Sequence, residues 1–336
     1  MLFLSGLLLL LAGEACQKSS PGLVARRYSG YAQGTTYHIT LRDSADAPDH
    51  AAAIDSIFRR VDRSMNAWDS SSRVARLNAG DTVRPDPLMR EMMRRSRMVF
   101  RQTNGAFDPT VGPLVAFWGF GPDKRSAVDT LRLDSVRRLV GLPRLPRMQG
   151  RLALPPGMQL DFNAIAQGYT VDLLARYFNR RGLRHYLVEV GGEARTRGHN
   201  PDGKPWRLGI DKPTEKIDQQ DRFQVIIKLD SASLATSGNY RKFWVDSTTG
   251  LRYAHTIDPR TGRPAMSRLL SASVVAPSAA TADAYATALM VMGTEGAQRF
   301  LDTTALPLEA YLISAGPDSS FQVHQTPGFQ EMVLNP

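Results

Sequence analysis

Two side chains in "ATADAYATALMVMG" have the types and spacing that chemistry needs. Asp283 and Thr287 lie four residues apart in a segment that reads as a helix, so they share one face near its start. A carboxylate and a hydroxyl beside a helix N-terminus are hard oxygen ligands close to fixed positive potential, which suits Mg2+ holding a diphosphate. An aspartate in a first helical turn also serves simply to stabilise the helix. In "YAHTIDPRTGRPA", His255 closes an apparent strand three residues before the Asp258-Pro259 turn. A histidine there could be a general base, polarise a phosphate or cap the turn. A third stretch, "LDFNAIAQGYTVD", reads as a buried strand end running into a helix. Asp161 and Asn163 sit at the join, and Ala164, Ala166 and Gly168 leave the helix start bare and open to close approach.

Other motifs narrow the chemistry. Ser237 and Gly238 in "LATSGNY" end a strand without the GxSxG pattern, so no hydrolase nucleophile is expected; the pair reads as a turn or as backbone close to a ligand. Gly191 and Gly192 follow a strand but open no helix, which removes the dinucleotide fingerprint and leaves close backbone approach. The 6 histidines form no HExxH pair, and the single cysteine, Cys16, excludes an internal disulfide or a cysteine-based zinc site. The formal net charge is +10, but the basic residues are dispersed. The densest run, Arg94 to Arg101, alternates with apolar residues as a half-buried helix does, so a generally basic surface is favoured over nucleic-acid binding.

Elements that could position these groups follow from periodicity. With 42% hydrophobic residues in 336, the chain can bury a full core. "RYSGYAQGTTYHITLRD" predicts a hairpin around Gly34. Ile54, Ile57, Phe58, Val61 and Met65 predict a helix over 49–65, with a short one resuming to Leu77. Asp86 as N-cap, Pro87 in the first turn and Asn104-Gly105 at the end frame another helix, whose methionines read as core filler. "GAFDPTVGPLVAFWGFGP" lacks periodicity and reads as an ordered loop lining something; one helix is expected around Leu133 to Leu139. From residue 184 on, strands joined by turns such as "NPDG" and "STTG" dominate, then a strand leads into the helix of Asp283. The expected class is α+β, with mixed, largely antiparallel sheets and packed helices.

At the front, "MLFLSGLLLLLAGEAC" (1–16) is too short to span a bilayer and reads as a signal peptide ending at the lone cysteine. It resembles a lipoprotein signal with Cys16 lipidated, although Gly13 and Glu14 occupy the places of the usual aliphatic and small residues. Residues 17–27 read as a tether and 28–336 as one domain. The expected location is that of an exported bacterial cell-membrane lipoprotein facing the periplasm or the cell exterior.

Eight blocks occur in an order that resembles the ApbE family of FAD:protein FMN transferases: "GTTYHI", "SMNAWDSSSRVARLN", "GAFDPTVGPLV", "LDFNAIAQGYTVD", "VGGEARTRG", "LATSGNYRKF", "HTIDPRTGRP" and "ADAYATALMVMG". The resemblance runs from about Tyr31 to Leu334. It implies an enzyme that transfers FMN from FAD to a threonine or serine hydroxyl of a client protein and releases AMP, with Mg2+ on the diphosphate. It further implies Asp283, Thr287 and the backbone carbonyl of Ala164 as Mg2+ ligands and His255 as the catalytic base. Flavin-nucleotide contacts carried over are Met65, Trp68, Ala106, Phe107, Asp108, Asp161, Gln167 and Ile257, with Ser237 and Gly238 lining the same pocket. Gln167 stands where the family often has Lys or Glu, and Gln33 where it commonly has Met. Two alternatives stand beside it: hydrolysis of FAD to FMN and AMP at the same site with water as acceptor, and a lipoprotein that only carries FAD, which would need neither the metal pair nor the histidine.

Overall fold

The computed structural model describes residues 22–121, 129–146, 150–214, 218, 220–240, 243–245, 252–318 and 320–334. The expected signal peptide, Cys16, the first part of the tether and the "STTG" turn lie outside them. In chain order the elements are β1 (Leu23–Ala32), β2 (Thr35–Ser44), α1 (Ala51–Met65), α2 (Arg73–Asn78), α3 (Pro87–Gln102), α4 (Gly112–Phe117), α5 (Leu133–Arg137) and α6 (Ala166–Arg180). Then come β3 (Tyr186–Val190), β4 (Glu193–Arg197), β5 (Trp206–Asp211), β6 (Phe223–Leu229), β7 (Ser233–Gly238), β8 (Phe243–Val245), β9 (Arg252–Ala254) and β10 (Leu269–Ala276). The chain ends with α7 (Ala279–Thr303), β11 (Glu309–Ala315), β12 (Phe321–Gln325) and α8 (Pro327–Gln330).

The helices form where apolar spacing and caps agree. Ile54, Ile57, Phe58, Val61 and Met65 are buried along α1. Asp86 accepts the Met89 N–H at 2.8 Å to cap α3, and Met89, Met92 and Met93 are buried in the core. Asn104 and Gly105 take left-handed backbone after α3, with φ of 47° and 75°. Ser72 caps α2 in the same way, accepting the Ala75 N–H at 3.1 Å.

Eight strands form one antiparallel sheet in the order β1-β2-β3-β4-β7-β10-β11-β12. Its middle is buried on both faces. Ala235, Ala272, Val274, Ala310 and Leu312 point into the main core with α7. Their neighbours Leu234, Val275, Tyr311 and Ile313 point the other way, onto a separate cluster with Ile210, Ile227 and Leu229 from the β5–β6 ribbon and Phe329 from α8. α6 packs on β3 and β4, α7 packs on β7 and β10, and the two helices touch each other. This is the expected α+β arrangement.

Three local expectations change. β1 begins at Leu23, inside the segment read as a tether, and pairs with β2 from Leu23–Ser44 to Ala32–Thr35. Its side chains are mostly exposed, so no apolar alternation marks the strand. The "GAFDPTVGPLVAFWGFGP" loop contains a short helix, α4, with a proline in its first turn. The strand expected before α6 is a single bridge between Gln159 and Val111.

Candidate active site

The site grows from the contact between α6 and α7. A Cβ on Gly168 would lie 2.3 Å from the carbonyl oxygen of Ala279, so only glycine lets these helices come this close. What approaches the bare start of α6 is thus the backbone of α7. The close contact has a second result: the Gly168 N–H donates to Asp283 Oδ2 at 3.0 Å. Gly168 is the third residue of α6, and N–H groups of a first helical turn have no partner within their own helix, so Asp283 supplies the acceptor from α7. Two residues before α6, the carbonyl of Ala164 accepts no hydrogen bond among the described residues. Asp283 itself is 5% exposed. Burial pushes its carboxyl up to about 7, against the opposing bond from Gly168. Next along α7, the Thr287 and Ser237 hydroxyls are 3.1 Å apart.

A buried carboxylate, a hydroxyl and a carbonyl with no described donor make an all-oxygen set that fits a hard divalent cation. Among the described residues no three His, Cys, Asp or Glu side chains cluster as a metal site, so such a cation would draw on one carboxylate and neutral oxygens.

Short bonds tie the other predicted residues to this centre. Just past Ser237 and Gly238, the Asn239 side chain accepts from the Thr256 hydroxyl at 2.7 Å, which places His255 at the end of β9 beside the mouth of β7. His255 is half-buried, its ring edge-on to Phe120 with centroids 6.3 Å apart. Ile257 is buried with Leu114, Trp118 and Leu133, and the Trp118 indole N–H donates to the Gly262 carbonyl at 2.7 Å, fixing the "HTIDPRTG" loop. On the opposite side, the Asp161 N–H donates to the Pro109 carbonyl at 2.7 Å, joining "LDFNA" to "AFDP". Asp161 holds the Asn163 N–H at 2.7 Å, and burial nonetheless raises its carboxyl. Gln167 lies against Gly191, where a Cβ would meet its Nε2 at 2.8 Å, so the double-glycine turn serves close approach to α6.

The predicted residues are not equivalent. Met65, Ala106 and Phe107 are core side chains, so any ligand contact there runs through backbone. The Asp108 carboxylate is occupied by the Thr110 N–H and hydroxyl and by the Leu142 N–H, and burial raises it; it builds the loop. Trp68 is 59% exposed, a large aromatic face open to a ring.

Three residues were not singled out by sequence reasoning. Asp172 accepts the Ala279 and Ala280 N–H groups at 3.0 and 3.1 Å, and Arg195 bonds Asp172 at 3.1 Å. Glu91 on α3 gathers the Tyr169 hydroxyl at 2.7 Å with Arg176 and Arg95. The signal for Asp172 was present, since Ala164, Gly168 and Asp172 fall at four-residue spacing.

Known proteins match this architecture closely. The ApbE family model matches residues 33–312. An FAD:protein FMN transferase from Vibrio cholerae is 35% identical over 96% of this chain and 96% of its own length. One from Klebsiella pneumoniae is 34% identical over 98% of this chain and 96% of its own. Among solved structures, the flavin transferase ApbE from Vibrio cholerae superposes with a TM-score of 0.81 and 32% identity, covering 92% of this chain and 99% of that one. The apo form of the Pseudomonas stutzeri flavinyl transferase ApbE gives 0.82 and 31%, covering 92% and 97%. By its sequence, its fold and the order of its site blocks, the chain belongs to the ApbE family.

Proposed function

We propose that this protein transfers FMN from FAD to a threonine or serine hydroxyl of a client protein, releasing AMP. The observation that supports it most is the bond from the Gly168 N–H to Asp283, which ties the buried carboxylate of α7 to the first turn of α6; Ala164 lies two residues before that helix, with a carbonyl that accepts no hydrogen bond among the described residues. Asp283, Thr287 and the Ala164 carbonyl would hold Mg2+, which when bound supplies positive charge to the diphosphate. The chain's own groups do the rest. The exposed Trp68 offers a face for the flavin ring, and the "AFDP" loop and Asp161 border the nucleotide. His255 takes the proton of the acceptor hydroxyl as its oxygen bonds the FMN phosphorus; the bond from that phosphorus to the bridging oxygen breaks, and AMP leaves with the oxygen. No covalent enzyme intermediate is required, in keeping with the lack of a nucleophile motif.

The test mixes the chain from Gln17 onward with FAD, Mg2+ and an acceptor domain carrying its target threonine, and weighs the acceptor by intact-mass spectrometry. An added FMN that disappears with EDTA or in Asp283→Ala supports both parts of the reading. An unmodified acceptor with FMN and AMP accumulating points to FAD hydrolysis, and intact bound FAD to a carrier. The proposal extends to an exported, membrane-anchored lipoprotein, which rests on residues 1–16. No helix among the described residues is long and apolar enough to cross a membrane. Cys16→Ser should move the full-length protein from the membrane to the soluble fraction.

A further inference from the structure

α7, which bears Asp283 and Thr287, and α6, which follows directly after Ala164, are locked by a clamp outside the proposed ligand set. Ala164, two residues before α6, and Gly168 and Asp172 within it fall at four-residue intervals, and Ala279, Asp283 and Thr287 do so along α7. Contacts pair them in opposite order: Asp172 bonds the N–H groups of Ala279 and Ala280, while Gly168, a turn earlier on α6, bonds Asp283, a turn later on α7. The same antiparallel progression brings the Ala164 end of α6 toward Thr287.

Capping alone does not account for Asp172. The start of α7 already has a cap of its own, since Ser278 accepts the Thr281 N–H at 3.2 Å. Asp172 takes two further N–H groups of the first turn, one on each carboxylate oxygen, and it does so from another helix. A bidentate acceptor fixes both distance and rotation where a single bond would fix only distance. Asp172 is in turn held by Arg195 of β4, whose guanidinium also donates to the Pro277 carbonyl at 2.8 Å, in the turn that enters α7. Arg195 keeps these contacts with its Nε buried and without a hydrogen-bond partner, a cost consistent with a geometric role. Sheet, α6 and α7 are thereby joined at one buried carboxylate, 4% exposed.

We propose that Asp172, oriented by Arg195, is a positioning residue that sets the spacing of α6 and α7, and with it the separation of the Ala164 carbonyl from Asp283 and Thr287. The inference rests on the reading of those three groups as cation ligands. It predicts that loosening the clamp weakens cation binding more than it weakens FAD binding. Groups that orient metal ligands change affinity by about 10- to 100-fold when removed.

The test uses Mn2+ as the probe, titrated into protein with FAD and read as free Mn2+ by electron paramagnetic resonance. Parent, Asp172→Asn, Asp172→Ala and Asp283→Ala are compared with Phe329→Leu, a core change on the far face of the sheet. Expected are a rise in the Mn2+ dissociation constant of about 10-fold or more in Asp172→Ala, a smaller rise in Asp172→Asn, and none in Phe329→Leu. A cation-free measurement accompanies it: amide exchange at Gly168 should quicken in the isosteric Asp172→Asn while that of Ile227 in β6 stays the same, which keeps the idea testable should Asp172→Ala not fold. Parent-like Mn2+ affinity or Gly168 exchange in the Asp172 variants overturns the positioning role and leaves the ligand assignment standing. Absence of Mn2+ binding in the parent, equal to Asp283→Ala, overturns the ligand assignment and the inference with it.

Discussion

The two walls of the site are built differently. The wall formed by α6 and α7 is continuous with the main core: Tyr169, Ala280, Ala284 and Leu289 are all fully buried, and its polar groups are bonded across helices. The wall that carries His255 stands on a satellite cluster with Leu114, Trp118, Leu133 and Ile257 at its centre, and its loop is held by turn bonds, by the bond from the Thr256 hydroxyl to Asn239 and by the Trp118 indole N–H. One wall holds geometry through dense packing, where a displaced backbone is costly. The other presents a functional side chain from a loop on a small base, the usual place for groups that meet a partner. Changes in the first wall should register as stability and ligand placement, and changes in the second as turnover.

The sharpest test of that contrast is His255→Ala. Loss of a general base should cut the transfer rate by about 100- to 10,000-fold, with FAD affinity and melting temperature nearly unchanged. Lost FAD binding would instead make the histidine a holder of ligand, and the two walls would no longer divide as described. Gly168→Ala comes next. The new Cβ meets backbone at 2.3 Å with no flexible group to yield, so unfolding free energy should fall by about 3 kcal/mol in urea melts. A loss under about 0.5 kcal/mol would mean that the helix contact is looser than its geometry suggests.

Smaller effects refine the picture. Trp118→Phe keeps the ring and removes the bond to Gly262, which should cost about 1 kcal/mol and speed amide exchange in the 256–264 loop before anything in α7. Equal acceleration in both would merge the two walls into one cooperative unit. The smallest effect concerns acid. Burial raises the Glu91 carboxyl, but the Tyr169 hydroxyl, Arg176 and Arg95 together outweigh it and hold it below its usual 4.5. A folded-state value below the unfolded one stabilises the protein above the ordinary glutamate range, and that stabilisation is lost as pH falls through the lowered value. Between neutral pH and pH about 3, the parent should therefore lose more melting temperature than Glu91→Gln, a difference that cancels the opposite contributions of the raised Asp108 and Asp161. Identical losses would show that the network is too solvent-exposed to matter.

Much of this was legible in the chain itself, where signals are local. α1 and α3 were readable from apolar spacing and from Asp86 and Pro87. Asp283 and Thr287 were readable because four residues make one turn. β10 was read as the strand before the helix of Asp283 although it is buried on both faces and has no alternation to detect. Only the start of β1, Leu23 to Arg26, was hidden, because mostly exposed side chains there resemble a linker. Asp172 escaped because its meaning lies 107 residues away, at Ala279. The role of Gly168 could be posed as a question, but only the fold shows that a helix backbone fills the space.

The sheet order also bears on how the chain folds. The β1–β2 hairpin forms from adjacent residues, yet the next strand it needs is β3, with His38 facing Glu189 across 151 residues of sequence. More than half the polypeptide must be made before that edge is closed. During synthesis Ile39 and Leu41, which end fully buried, wait on an open strand able to pair with a neighbouring chain. The high contact order slows closure further. Assembly of the N-terminal third is thus governed by the arrival of α6 and β3, and conditions that delay them should favour aggregation seeded at β2.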